Sequence, residues 1–150
     1  ILEIGGNVDA NGDHVRVWWT KRTTKANIKT LPYPGFPTDL QSQMGVCLAI
    51  SSGTSIINES IWDSRFQYTQ ELNKMGAKIT TSGKTAIFEG VDYLYGAPVN
   101  ATDLRAGAAL IIAGTCANGV TEVFNLHHID RGYENIEKYL LECGAKIRRE

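Results

Sequence analysis

A long internal repeat limits the folds open to this chain more than any other feature. Thr38-Asp39-Leu40 returns as Thr102-Asp103-Leu104, Gly53 as Gly119, and Arg65 as Arg131. Met75-Gly76-Ala77-Lys78-Ile79 returns as Cys143-Gly144-Ala145-Lys146-Ile147. The opening residues keep the same register: Gly5, Val8, Gly12 and Val17 fall on Gly76, Ile79, Gly83 and Phe88. The period is about 64 to 71 residues. Solenoid units run only about 20 to 50, so each unit here must be a compact set of strands and helices. The predicted organisation is the tail of one unit at 1–20, a complete unit at 21–91, and a second, truncated unit at 92–150, all parts of one domain.

Each complete unit predicts a βαβαββ order. Asn11-Gly12 is a hairpin signal between a strand around Val8 and a return strand from His14 to Trp19. A further strand is expected near Asn27 to Leu31. Thr38-Asp39 has the chemistry of an N-cap and predicts a helix beginning at Asp39 and ended by Gly53. Thr54 to Asn58 predicts a strand, and Phe66, Leu72 and Met75 mark one side of a helix that Gly76 stops. Strands at Ala77-Lys78-Ile79 and Ala86-Ile87-Phe88 flank a turn at Ser82-Gly83. In the second unit the expectations are a helix from Asp103 through Ala113, a strand from Thr121 to Leu126, and a helix from about Arg131 to Gly144.

One helix decides how the layers stack. From Leu104 to Gly114 the sequence is apolar on nearly every face after its first turn, so it must be buried all round. The strands alternate with Lys78, Thr80 and Glu89 and tolerate water on one face. Helices inside and sheets outside is the reverse of an ordinary doubly wound domain.

The remaining bulk properties exclude some classes. A chain of 150 residues with net charge −1 is large enough for a core and carries no charge excess for nucleic acid or an anionic membrane. The apolar run Ala106 to Ala113 is too short to span a bilayer. Cys47, Cys116 and Cys143 are widely spaced and form no metal pattern, so buried thiols in a reducing compartment are expected, with no metal or cofactor. Ile1-Leu2-Glu3-Ile4-Gly5-Gly6 has the look of a helix end with its glycine stop. That opening, without an initiator methionine, suggests a piece of a longer protein.

The candidate chemistry gathers at the repeated positions. Pro32-Tyr33-Pro34-Gly35-Phe36-Pro37-Thr38-Asp39 places three prolines just ahead of one aspartate. Fixed φ values and the bias of pre-proline residues make this a stiff, non-helical approach to the Asp39 carboxylate. The second copy, Pro98-Val99-Asn100-Ala101, has one proline, so the extra rigidity is particular to the first unit. Each unit pairs an aspartate at its first helix with a later arginine, Asp39 with Arg65 and Asp103 with Arg131, and Arg105 adds a third cation. Helix starts and guanidinium forks suit phosphate or carboxylate groups. The same residues also serve as N-caps and structural ion pairs, and spacing alone leaves both uses open.

Three of these segments resemble a known family. Pro32 to Asp39, Ala101-Thr102-Asp103-Leu104-Arg105-Ala106, and His128-Ile129-Asp130-Arg131-Gly132-Tyr133-Glu134 are similar to motifs of the UDP-N-acetylglucosamine 1-carboxyvinyltransferases, a family of enolpyruvyl transferases. The likeness runs over essentially the whole chain. It implies an α/β inside-out barrel of βαβαββ units, with about two units present. It also implies the opening step of bacterial peptidoglycan synthesis, in the cytoplasm. There an enolpyruvyl group passes from phosphoenolpyruvate to the 3-hydroxyl of UDP-N-acetylglucosamine, releasing phosphate.

By the same resemblance Asp39 is the catalytic base at the sugar hydroxyl, and Arg131 and Arg105 hold the anion derived from phosphoenolpyruvate. Asp103 supports that site, Arg65 lines the cleft, Ile61 contacts the nucleotide sugar, and Thr38 either reaches substrate or caps its helix. The family's catalytic cysteine belongs to the other domain, and none of the three cysteines here matches it. The isolated chain is therefore expected to lack transferase activity, to miss the other half of its cleft, and to self-associate through exposed apolar faces. The alternatives are 3-phosphoshikimate 1-carboxyvinyltransferase and, from another class, a non-catalytic binding or assembly module derived from a transferase half.

Overall fold

A computed structural model describes residues 1–150. The chain opens with a 3₁₀ turn at Leu2–Ile4, closed by Gly5 at φ 83°, and runs into the hairpin β1 (Asn7–Asn11) and β2 (His14–Trp18). The two central residues of the hairpin are Gly12 and Asp13, one position later than the Asn11-Gly12 signal suggests, because Asn11 pairs with His14. Of the two, Gly12 alone takes positive φ.

The next unit contains β3 (Asn27–Lys29), α1 (Gln41–Ala49), β4 (Thr54–Asn58), α2 (Tyr68–Lys74), β5 (Lys78–Ser82) and β6 (Thr85–Glu89). Its four strands lie in the order β3-β4-β6-β5. β3 and β4 are parallel, joined through α1, and the other pairs are antiparallel. α1 stops at Ala49, ahead of Gly53, whose φ of 92° serves the turn into β4 instead.

The following unit contains β7 (Pro98–Asn100), α3 (Leu104–Cys116), β8 (Glu122–Phe124), α4 (His127–Asp130) and α5 (Ile136–Glu142). β7 and β8 are again parallel. The helix expected from about Arg131 begins only at Ile136, and a separate short helix, α4, ends just before Arg131. Arg131 closes α4, and Asn135 in a left-handed conformation starts α5. Lys146-Ile147, the counterpart of the β5 segment, lies in no strand.

Consecutive units dock in the same way. Thr24 N–H donates to the carbonyl of Ile4 at 2.9 Å, and Tyr95 N–H donates to that of Met75 at 2.8 Å. Ile4 and Met75 are the buried last residues of matching helix ends. The bridges Thr24–Ser52 and Tyr95–Asn118 then tie the start of each unit to the end of its own first helix. This recurrence is the spatial form of the sequence repeat.

α3 is the hub. Ala106 through Ile111 and Ala113 are all buried, as an all-round apolar helix requires. α1 and α2 share one apolar cluster with α3. Packing is close where side chains are absent. A Cβ on Gly107 would lie 2.5 Å from the Ile129 side chain of α4, and one on Gly45 would lie 2.3 Å from the Tyr68 hydroxyl. Burial of Leu48, Leu72 and Leu110, each 0% exposed, is worth about 1.5–3 kcal/mol per side chain. No helix is long and apolar enough to cross a membrane.

The cysteines depart from expectation. Cys116 and Cys143 are exposed and only Cys47 is partly buried, because Cys116 ends α3 and Cys143 caps α5 beyond the apolar cluster. Burial pushes the Cys47 thiol up from its ordinary value, which keeps it neutral.

Candidate active site

The proline approach delivers its aspartate, though not as a cap. Pro37 is the extended residue that begins a 3₁₀ turn at Thr38–Leu40, and α1 follows from Gln41. Neither Thr38 nor Asp39 makes a capping hydrogen bond. Asp39 is inside the turn, past the cap position, so its carboxylate is free to point away from its own helix. It meets Arg105 instead, with Nε to Oδ1 at 2.6 Å, and Arg65, with Nη2 to the same oxygen at 3.8 Å. The Thr38 hydroxyl donates to Glu59 Oε2 at 2.9 Å.

The second copy of the triplet behaves as a cap should. Asp103 is extended, and its Oδ1 accepts from the N–H groups of Arg105 at 2.9 Å and Ala106 at 3.0 Å. That bond fixes the first turn of α3, and with it the point from which Arg105 reaches back to Asp39. Ser42 of α1 ties the two helices by donating to the Arg105 carbonyl at 3.1 Å.

Thr38, Gln41, Ser42, Arg65, Tyr68, Asp103, Arg105 and Ala106 line one small cleft between the helix starts. Thr38, Arg65, Asp103 and Arg105 are therefore gathered as the sequence suggested, with Asp39 at the rim, its side chain 58% exposed. Arg65 precedes α2 and lays its guanidinium over the Trp62 ring at 5.6 Å. Two predicted residues lie outside. Ile61 is exposed on the loop that leads to Arg65. Arg131 is exposed beyond α4 and forms no ion pair, although its neighbour Gly132 abuts Leu104 at the start of α3.

Charge in the cleft is set by the Asp39–Arg105 contact. The Arg105 hydrogen bond holds the Asp39 carboxyl below its usual range, against a smaller opposing effect of burial, and Arg65 adds to the lowering. Arg105 is raised in turn, first by the same hydrogen bond. Asp39 is thus ionised and the guanidinium fork is half-used.

Sequence reasoning missed three residues. Glu59 is 2% exposed and accepts from Thr30, Thr38, Ile61 and Trp62. Gln41 and Tyr68 are buried in the cleft wall, with the Gln41 amide and the Tyr68 hydroxyl unpartnered within the chain. Burial pushes the Tyr68 phenol far up, so it stays neutral. The only available signal was positional: Glu59 directly follows β4, just before the segment carrying Arg65.

Comparison with known proteins assigns the family and the architecture. The sequence profile of the EPSP synthase (3-phosphoshikimate 1-carboxyvinyltransferase) family matches residues 1–140. The chain belongs to that family of enolpyruvyl transferases. It is 55% identical over 149 residues to the UDP-N-acetylglucosamine 1-carboxyvinyltransferase of Clostridium botulinum, covering 99% of this chain and 36% of that protein. It is 52% identical over 150 residues to UDP-N-acetylglucosamine 1-carboxyvinyltransferase 3 of Symbiobacterium thermophilum, covering all of this chain and 35% of the relative.

The chain therefore spans about a third of the length of the curated relatives it matches. The enolpyruvyl transferase NikO from Streptomyces tendae superposes with a TM-score of 0.88 at 29% identity, over 97% of this chain and 34% of NikO. EPSP synthase from Acinetobacter baumannii superposes at 0.74 with 16% identity, over 99% of this chain and 36% of that one, a likeness of fold alone. Together these place the chain in the inside-out α/β architecture with buried helices and outer sheets.

Proposed function

We propose that this chain is the part of a UDP-N-acetylglucosamine 1-carboxyvinyltransferase that carries the base and part of the anion site. Its repeats at 21–91 and 92–150, with 1–20 as the tail of a preceding unit, form one transferase domain. The reaction moves the enolpyruvyl group of phosphoenolpyruvate to the 3-hydroxyl of the nucleotide sugar and releases phosphate. That is the first committed step of bacterial peptidoglycan synthesis, in the cytoplasm, on which cell shape and division depend. The observation that carries this reading is an aspartate held on a stiff proline turn between two guanidiniums, in a chain about half identical to enzymes of that name.

The roles are those the resemblance implies, and the contacts of Asp39, Asp103 and Arg105 support them. Asp39 accepts the hydroxyl proton as the oxygen adds to C2 of phosphoenolpyruvate while an acid from the rest of the protein protonates C3. Loss of phosphate with a C3 proton restores the alkene. Arg105, together with Arg131, binds the anion derived from phosphoenolpyruvate, since a guanidinium fork matches a carboxylate or phosphate edge. Asp103 holds Arg105 in place through the α3 cap. Arg65 lines the cleft beside Asp39, the resemblance gives Ile61 a contact with the nucleotide sugar, and the Thr38 hydroxyl is taken by Glu59.

A carboxylate bonded to Arg105 is a weak base, so arrival of the substrate anion must draw Arg105 away and raise Asp39 toward its ordinary basicity. Base activation is thereby coupled to occupancy of the anion site. The rest of the cleft, including the catalytic cysteine the resemblance implies, comes from the remaining two thirds of a protein of the relatives' length.

The test is phosphate release by that full-length transferase with phosphoenolpyruvate and either UDP-N-acetylglucosamine or shikimate 3-phosphate. Turnover with the nucleotide sugar alone supports the proposal. Turnover with shikimate 3-phosphate alone transfers the chain to the rival activity, and turnover by the isolated 150-residue chain overturns its assignment as a partial site.

A further inference from the structure

Glu59 is the most deeply buried carboxylate in the chain, 2% exposed against 8% for Glu71. Glu71 has Lys74 beside it at 2.7 Å, whereas Glu59 has no cation within ion-pair distance. Hydrogen bonds alone hold its charge. Oε1 accepts from the Thr30 hydroxyl at 2.7 Å, Ile61 N–H at 2.8 Å and Trp62 N–H at 3.2 Å, and Oε2 accepts from the Thr38 hydroxyl at 2.9 Å. Burial pushes the carboxyl up, but the four donors together hold it below its ordinary value. An isolated buried carboxylate is costly, and only such a set of donors makes an ionised one tolerable.

These donors come from three separate segments: the end of β3, the turn that carries Asp39, and the loop that leads to Arg65. The second unit lacks the device. Its ladder ends at Asn100 opposite Phe124, as the first ends at Lys29 opposite Asn58. Asn125 thus stands where Glu59 does, and the Thr102 hydroxyl, the counterpart of Thr38, is buried without a partner. The fold therefore forms its helix start without this carboxylate. Only the unit with the exposed aspartate has it.

We propose that Glu59 is a positioning residue for the transfer, fastening the Asp39 turn and the Ile61–Arg65 loop to β3 and so setting where the Asp39 carboxylate meets the acceptor hydroxyl. This rests on the reading of Asp39 as the base. A small misplacement of a catalytic group costs up to about a hundredfold in rate.

The test uses steady-state kinetics of the full-length transferase carrying Glu59→Gln, Thr38→Val, Thr38→Ser, the Glu59→Gln/Thr38→Val pair, and Asp39→Asn. Glu59→Gln and Thr38→Val are each expected to lower kcat about tenfold to a hundredfold. The KM for phosphoenolpyruvate should hold, Thr38→Ser should keep the wild-type kcat, and the double variant should be no slower than the slower single one. Loss of thermal stability with kcat unchanged, or losses that multiply in the double variant, overturns the positioning role. Should Glu59→Gln fail to fold, the contrast between Thr38→Val and Thr38→Ser decides alone. Full activity in Asp39→Asn defeats the underlying reading, whereas an inactive Asp39→Asn beside unimpaired Glu59→Gln and Thr38→Val defeats only this inference.

Discussion

At Thr102-Asp103-Leu104 the carboxylate turns onto its own helix and accepts two backbone N–H groups. At Thr38-Asp39-Leu40 the same three residues form a 3₁₀ turn, and the carboxylate crosses the cleft to an arginine of the other unit. Two residues of register separate the two outcomes: Asp103 occupies the cap position, whereas in the first copy Pro37, two residues before Asp39, occupies it. Neither Pro37 ahead of the 3₁₀ turn nor Leu40 ahead of α1 offers a side-chain acceptor, so this helix start goes uncapped and its aspartate is left free to face the cleft. In this chain duplication supplied two similar helix starts. One stabilises the hub helix, and the other gives up that stabilisation and presents a charge.

The largest test of this contrast is activity. In the full-length transferase, Asp39→Asn is expected to lower kcat by about 10²–10⁴-fold, the range of a lost general base. Its melting temperature should stay close to that of the parent, since Asp39 caps nothing. A variant that loses stability in proportion to rate would return Asp39 to a structural role.

Arg105→Ala should lower kcat/KM by roughly 10²–10³-fold, as expected for loss of a donor to transition-state charge. The pH profile of whatever activity remains sharpens the point. Arg105 is the leading cause of the lowered Asp39 carboxyl. Its removal lets Asp39 protonate at higher pH, so the acid limb of kcat/KM moves up; an unmoved limb would detach Arg105 from Asp39.

Stability gives the smaller, reversed effect. Asp103→Ala removes a cap with two hydrogen bonds and should cost about 1 kcal/mol in denaturant unfolding, whereas Asp39→Ala should change stability by no more than about 0.5 kcal/mol. Equal losses would erase the distinction between the two helix starts. The isolated chain offers a fourth check, because the first hairpin exposes Val8 and Val15 on one face and Trp18 on the other. Sedimentation is expected to show self-association, and a clean monomer with sharp unfolding would contradict it.

Much of the fold was legible because its signals are local. Thr54–Asn58 forms the expected strand residue for residue, since a β-branched run between a glycine and a polar turn has few alternatives. The burial of α3 followed from its lack of any polar face. The helix start expected near Arg131 was not legible in this way. The apolar spacing of Ile136 and Leu140 reads as a helix from about Arg131, but Gly132 must approach Leu104 closely and Asn135 turns left-handed, so the helix starts only at Ile136. The exposure of Cys116 and Cys143 was equally invisible, because a cysteine at a helix end carries no sign of what lies beyond it.

The candidate site divides along the same line. Composition, repeat and motif singled out Thr38, Asp39, Arg65, Asp103 and Arg105 from the sequence alone, because proline rigidity and recurring acid–base spacing are written along the chain. Their partners are not. Arg105 reaches Asp39 across 66 residues, and Glu59 gathers donors from three segments that share only a place in the fold. The sequence by itself determined the unit, its buried hub and the stiff turn, which depend on φ restriction and periodicity. Only the tertiary structure decided which aspartate would cap and which would face an arginine. That choice depends on which groups the packed helices bring within hydrogen-bond distance.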